Sequence, residues 1–401
     1  MKQAVRPWSI RAISIAVLVA LAAGCSTTTA TPPGASPTAM QFIVVTSTPV
    51  PTSTSAPATP SATVQPTPTA TATAIPTATP DPNLNPFTGL LIDPANAKQI
   101  PILVKVSNSP DVRPQTGLAL ADVVVEHYTE GGITRFTALY HTNLPDKIGS
   151  VRSCRLIDIE LPVIFGAGMV CSGTSGGTRQ EIQKSISWAN SGGDPKKTVW
   201  MVSDQGYYEC QQAAGCKLPM YRTNGSYPPN NLFANTHNAL QELDARGMNT
   251  PTQFSSWSFS TAAPVGGKIV SSVDIPYTSG TVNWTYDAKQ SAWARSISKV
   301  PHRDTVTGKQ ITSTNVVVLY VNHVTTLIVE DVSGAHGIQI QLWGDGPAQV
   351  FRDGEVYEGR WQRTGNALGL RFVDSSGQVI PFKPGNTWLE MVPLNMAVKT
   401  S

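Results

Sequence analysis

Between Arg113 and Arg155 the chain gathers residues whose types can hold an anion. RPQTGLALAD runs from Arg113 to Asp122, and Glu126 follows in a β-branched run. EGGITRF spans Glu130 to Phe136, and VRSCR brings in Arg152 and Arg155. A guanidinium is a planar fork of N–H donors that suits carboxylate, phosphate or pyrophosphate. A hairpin turning near Asp146 would set Arg135 opposite Arg155, so that two guanidiniums converge, with a third from Arg113 or Arg152. Glu126 and Glu130 are near enough in sequence to pair with the arginines instead. Two readings follow: a ligand site made of Arg113, Glu126, Glu130, Arg135, Arg152 and Arg155, or a structural Arg–Glu network holding sheet to loop.

A second segment suits the same kind of ligand. MVCSGTSGGTRQE, from Met169 to Glu181, passes from an apolar strand through a Gly/Ser/Thr loop into a helix start. Backbone N–H groups there can receive an anion, helped by the helix dipole. The spacing matches neither G-x-G-x-x-G nor a Walker loop, so no nucleotide is implied. No catalytic residue, metal or cofactor is assigned: H-E-x-x-H is absent, and no cysteine sits beside a plausible base once disulfides are drawn. His302 and Asp304 in VPHRDTVTG are two groups on one loop, short of a metal site, and Asp304 suits capping the turn before Gly308.

The elements that must position these residues change character near Thr250. Before it, IPILVKVSN (100–108), DVVVEHY (122–128), ITRFTALYHT (133–142) and MVCSG read as strands. TRQE at Thr178–Glu181 has capping-box spacing, with Ile182 and Ile186 one turn apart, and Thr236 starts a helix that turns Leu240 and Leu243 inward. After it, KIVSSVDIPY, TVNWTYD, NVVVLYV, IQIQLW, AQVFRDG, EVYEGRWQR and LGLRFVD alternate, with Asp353-Gly354 and Ser376-Gly377 as turns. The expected fold is an α+β domain at 86–250 followed by an all-β sandwich or barrel at 251–396. Six tryptophans, Trp257, Trp284, Trp293, Trp343, Trp361 and Trp388, fall in the second part. They read as core more readily than as a sugar platform.

Upstream, Lys2, Arg6 and Arg11 precede an apolar run from Ala12 to Ala22 that ends in LAAGC at Leu21–Cys25. This is the pattern of a lipoprotein signal (1–24), with Cys25 as the lipidated residue and a place on the extracytoplasmic face of the cell membrane. From Ser26 to about Asn85 the chain is almost wholly Thr, Ser, Pro and Ala, apart from MQFIVV at Met40–Val45. That composition predicts a disordered tether (25–85) reaching roughly 40 Å as a coil and roughly 180 Å extended. Of the 29 Lys+Arg, three precede Cys25, whereas all 26 Asp+Glu follow it. The mature chain is thus neutral and lacks the basic excess expected for nucleic-acid binding. In an oxidising compartment the remaining cysteines form an even set. Cys210 and Cys216 bracket the short QQAAG and pair as a stapled loop, which leaves Cys154 with Cys171. A metal is the alternative, but no His lies close in sequence.

At these segments the sequence resembles the YerB-like lipoproteins, built from an N-terminal and a C-terminal YerB domain. RPQTGLALADVVVEHYTEGGITRF, IGSVRSCR (148–155) and MYRTNGSYPPNNLF (220–233) carry the N-terminal resemblance, with Asn230 where the family usually has His. VNWTYD, VPHRDTVTGKQI, TNVVVLYV, GDGPAQVFRDG and NTWLEMVP carry the C-terminal one. The resemblance implies a two-domain surface lipoprotein and sharpens architecture more than activity. The expected function is an envelope binding module for an anionic wall polymer, a lipid-linked precursor or a protein partner. An enzymatic alternative is a phosphotransferase on polyprenyl-pyrophosphate-linked glycans, similar to the LytR-type wall-polymer ligases, which needs a divalent cation and carboxylates beside the arginines. A third is a non-catalytic scaffold for wall-synthesis proteins. The three differ in where Arg113, Arg135, Arg152 and Arg155 point.

Overall fold

The computed structural model describes residues 83–185, 194, 197–203, 208–364 and 369–401. The leader, Cys25, the tether up to residue 82 and Ile186 lie outside the described residues. Asn85, at the end of the expected tether, is already buried, and its Oδ1 accepts from the Phe87 N–H at 2.8 Å.

The apolar runs of the first half become β1 (Ile102–Ser107), β2 (Val123–Tyr128), β3 (Thr134–Tyr140), β4 (Gly168–Cys171) and β5 (Trp200–Val202). The second half supplies β6 (Ser272–Tyr277), β7 (Gly280–Asp287), β8 (Ala292–Ile297), β9 (Asn315–Val321), β10 (His323–Val329), β11 (His336–Ile340), β12 (Gly344–Arg352), β13 (Glu355–Arg363) and β14 (Thr387–Pro393). An 11-stranded sheet runs β13-β12-β9-β14-β2-β3-β1-β4-β5, with Lys268–Ile269 and Arg371–Val373 pairing β13. The change of character near residue 250 therefore does not interrupt the sheet. β14 lies parallel to β2 on one side and to β9 on the other.

Strands buried on both faces read as continuous apolar runs, because both faces must be covered. One face of the large sheet is covered by a six-stranded sheet built on β6, β7 and β8. There Trp284 and Trp293 meet Trp388 and Phe351 in a common core with the 236–245 helix. Trp284 and Trp388 pack edge to face at 5.2 Å, worth about 0.5–1.5 kcal/mol beyond their area. The other face is covered by the turn at Leu156–Ile159, the helix Leu161–Phe165, and Phe87, Phe254 and Trp257. This arrangement of sheets is sandwich-like. Five of the six tryptophans are buried, and Trp343 is 42% exposed. The Asp353-Gly354 turn holds β12 to β13 with φ of 54° and 77°, the positive pair that a tight hairpin turn requires.

Two local expectations are corrected. The hairpin turning near Asp146 does not form: both edges of β3 are taken, by β2 and β1, and Ile148–Gly149 pairs with Leu232–Ala234 instead. All seven residues of β3 are buried, and only a central strand satisfies its backbone there. The helix expected from Thr178 begins at Gly176, because the Ser175 hydroxyl accepts from the Thr178 N–H at 3.2 Å and caps it. The helix from Thr236 runs to Ala245, capped by Asn235, with Leu240 and Leu243 buried. Among the described residues no helix is long and apolar enough to cross a membrane.

Candidate functional site

Side chains alternate along a strand, so neighbouring charges in β2 and β3 leave on opposite faces of the sheet. The arginine-rich constellation is divided by this rule into two buried networks. On the face covered by the 156–165 segment, Glu130 sits in a 3-10 turn and takes both Arg135 and Arg155. Arg135 donates to its Oε1 at 3.1 Å, and Arg155 donates from Nε to Oε2 at 2.5 Å and from Nη2 to Oε1. The remaining donors reach backbone: Arg135 to the Ser153 carbonyl at 2.8 Å, Arg155 to the Cys154 carbonyl at 2.9 Å. Burial alone would raise the Glu130 carboxyl, but the Arg155 bond and both guanidinium charges hold it below its usual range. Burial, then the charge of Arg155, brings Arg135 down to about 10.

Beside them Lys105 is fully buried, donating to His127 Nε2 at 2.7 Å and to Thr137, with its ion pair to Asp158 at 2.7 Å. Lysine has only donors, so His127 accepts at Nε2 and donates from Nδ1 to the Tyr128 carbonyl at 2.9 Å. That tautomer is neutral, in keeping with burial and Lys105 holding the imidazole well below its ordinary value. Burial lowers Lys105 to about 8 against the upward pull of Asp158.

On the opposite face Glu126 leaves β2 toward β8. Its Oε2 accepts from Arg295 at 2.5 Å, and its Oε1 accepts from Thr134 at 2.7 Å and Asn108 at 3.0 Å. Arg295 also donates to His302 Nδ1, so His302 carries its proton on Nε2 and donates to Gln115. Burial, then Arg295 and Arg113, keep His302 well below its ordinary value. The parallel register of β2 and β14 sets Glu126 beside Glu390. Glu390 is held by Trp284 Nε1 at 2.8 Å and the Tyr277 hydroxyl at 3.0 Å. Burial, then the charge of Glu126, pushes its carboxyl well above the usual range. Arg295 lies 4.9 Å from the Trp388 ring, so one cation serves a carboxylate, an imidazole and an indole across the two halves of the chain.

Arg113 and Arg152 are the partly accessible arginines of the constellation. Arg113 donates to Asn108 Oδ1 at 3.1 Å and to the Asn108 carbonyl at 2.7 Å. Arg152 donates to Asn230, which donates to Asp111 at 2.5 Å. The 110–114 loop faces the 297–303 turn across a groove of about 400 Å³, with Arg113 and Arg303 at its rim and Pro114, Ile297, Val300 and Pro301 as apolar walls. Asp304 Oδ1 accepts from Val306 N–H at 2.9 Å and Thr307 N–H at 3.2 Å, so it caps its turn.

Against the expectation that the chain holds no G-x-S-x-G, Gly173–Gly177 fits that pattern between a strand and a helix. Ser175 has relaxed extended backbone (φ −65°, ψ 160°), unlike the strained turn of a nucleophile elbow, and its hydroxyl serves as the helix cap. Disulfides join Cys154 to Cys171, with Cα atoms 5.5 Å apart, and Cys210 to Cys216, 5.9 Å apart.

Some partners of the cluster come from beyond residue 250: Arg295, Glu390 and Glu330 were not among the expected ligand residues, nor were Lys105, His127 and Asp158 of the first half, and His302, weighed above as a metal ligand, bonds Arg295 instead. Arg295 and Glu390 are each signalled by a charge alone within an apolar run, AWARSI and TWLEMVP, where burial demands a partner.

Family comparisons match this division of labour. Residues 87–249 match the N-terminal domain, and residues 273–389 the C-terminal domain, of a family described as "Protein of unknown function (DUF3048)". The chain belongs to the YerB-like DUF3048 family. It is 26% identical over 312 residues to the Bacillus subtilis (strain 168) protein named "Putative lipoprotein YerB", covering 77% of this chain and 86% of the relative. The crystal structure of YerB protein from Bacillus subtilis superposes with a TM-score of 0.62 at 25% identity, covering 79% of this chain and 99% of that one. In this DUF3048 protein the salt bridge between Glu126 and Arg295 joins a residue of the N-terminal match to one of the C-terminal match.

Proposed function

We propose that the protein is a lipid-anchored module on the outer face of the cell membrane, and that it binds an anionic envelope polymer or lipid-linked precursor in the groove between 110–114 and 297–303. The Leu21–Cys25 pattern and the name of its relative support the anchor. One observation carries the ligand class. Arg135 and Arg155 are paired in the interior with Glu130 and Glu330, whereas Arg113 and Arg303 line an open groove. Arg113 is aimed by its two bonds to Asn108, and among the described residues its Nη1 has no protein partner. Two cationic forks above apolar walls suit a ligand with a phosphate or carboxylate next to an apolar portion.

Each charge-assisted bond contributes about 1.5–3 kcal/mol, so one rim arginine governs tenfold or more in affinity. Full-length protein is titrated with a polyol-phosphate polymer and with a neutral polysaccharide of equal length. Arg303→Ala and Arg113→Lys should each weaken polymer binding tenfold or more with little change in melting temperature. Equal binding by the variants and the unsubstituted chain would overturn the groove. Cys25→Ser, followed by membrane fractionation, tests the anchor: unchanged retention with normal processing would refute it.

A further inference from the structure

The hairpin of β10 and β11 is a two-stranded sheet bonded to no other strand among the described residues. It lies across the start of the 176–184 helix, the segment whose sequence suits an anion, and it delivers a carboxylate there. Glu330 follows β10, its side chain 0% exposed. Its Oε1 accepts from the Thr178 hydroxyl, and its Oε2 lies 3.5 Å from Arg155 Nε. That Oε2 has no hydrogen-bond partner among the described residues. Two glycines shape the seat. A Cβ at Gly177 would come 2.7 Å from Ile328, and one at Gly337 would come 2.8 Å from Glu330 Oε1.

We propose that Arg155, Thr178 and the first turn of this helix form an anion site that the hairpin keeps closed with its own Glu330, and that its ligand is a singly charged oxyanion, a phosphodiester or a carboxylate, which displaces that side chain. The charge balance supports a single negative charge. With Glu330 seated, two guanidiniums face two carboxylates, Glu130 and Glu330. With it withdrawn, one positive charge and the helix N-terminus are left unmatched. Glu330 is also an imperfect occupant, since a buried carboxylate oxygen without a donor is costly. The hairpin can yield: a two-stranded ribbon is only marginally stable by itself. Its Leu327 is 93% exposed and Val332 fully exposed, so its outer surface adds little packing.

This site shares no residue with the Arg113–Arg303 groove and stands or falls separately from it. If the hairpin is withdrawn about 1–10% of the time, its competition lowers apparent affinity tenfold to a hundredfold. The full chain is titrated with dimethyl phosphate and with acetate at constant ionic strength, and the tighter of the two identifies the oxyanion. Glu330→Ala should bind that probe at least tenfold more tightly than the unsubstituted protein. Adding Thr178→Val should reverse much of the gain. In the unsubstituted protein, saturating probe should speed amide hydrogen exchange across residues 323–340. If Glu330→Ala does not fold, Glu330→Gln, which keeps the shape and removes the charge, must show the gain instead. Folded variants that bind neither probe more tightly overturn the proposal. So does a gain abolished by Arg303→Ala, which would assign the probe to the groove.

Discussion

Replacing Arg295 with Met tests whether the two halves are joined by their buried charges. Arg295 and Glu126 are both fully buried, 2.5 Å apart, with Glu390 next to Glu126 across the β2–β14 register. Removing one member of a buried pair costs about 3–5 kcal/mol, because the other charge is left uncompensated. Loss of the cation above Trp388 adds about 1 kcal/mol, and methionine keeps most of the packing. The expected loss at pH 8 is therefore about 4–6 kcal/mol, read by urea unfolding followed by tryptophan fluorescence and far-ultraviolet circular dichroism. The pH dependence has a definite sign. Arg295 pulls the raised Glu390 carboxyl back down, so without Arg295 that carboxyl rises further, and the variant loses stability as pH rises and lies closer to the unsubstituted protein at pH 5 than at pH 8. The double variant Glu126→Gln/Arg295→Met should recover about 2 kcal/mol or more relative to the sum of the single losses. A loss under about 1 kcal/mol at both pH values, or strict additivity in the double variant, would refute the reasoning.

Glu390→Gln should stabilise the protein increasingly from pH 5 to pH 8. The folded-state pKa of Glu390 is raised, so its stability contribution is complete below the unfolded pKa and is lost as pH rises, by about 1.4 kcal/mol per pH unit at most; urea unfolding at several pH values checks this, and parallel curves for the two proteins would count against it. Arg155→Ala should cost about 3 kcal/mol, the lower end for a broken buried pair because Arg135 still reaches Glu130, and Arg155→Lys should restore only part of it, as thermal unfolding will measure. Native-state reduction followed by alkylation and mass mapping should label Cys210 and Cys216 before Cys154 and Cys171, since the latter two are completely buried. Cys154→Ser/Cys171→Ser should cost about 3 kcal/mol in the chain-entropy account, against about 2 kcal/mol for the shorter 210–216 loop.

Much of the fold could be read from pattern. Runs such as DVVVEHY and NVVVLYV announced buried strands, the turn pairs marked hairpins, and the shift in periodicity near Thr250 marked where helices end. Pairing was harder to read, because partners are chosen by tertiary context. TWLEMVP entered only as a family motif, although it is the strand that unites both halves. The arginine cluster was legible as a cluster, but not its division. Glu126 and Arg135 lie nine positions apart on antiparallel neighbours, and alternation sends them to opposite faces. Lys105 in ILVKVS, Arg295 in AWARSI and Glu390 in TWLEMVP each interrupt an apolar run with one charge, and each is completely buried with a partner. Only the partner's identity needed the structure. Glu330 carried no such sign, lying on an exposed hairpin whose seat is set by two glycines.

The position of β14 has a consequence for how the chain is made. β2 leaves the ribosome more than 250 residues before the strand that will cover its edge. Until Thr387–Pro393 arrives, β2 and β9 both present open backbone along one side. Such an edge recruits whatever strand is nearest, including another nascent copy. Completion depends on contacts very distant in sequence, which places the molecule among slow folders. The N-terminal half expressed alone should therefore emerge as associated, edge-paired species rather than as a free monomer. Nearly all of the folded region, up to residue 386, therefore needs shielding until its last central strand is released.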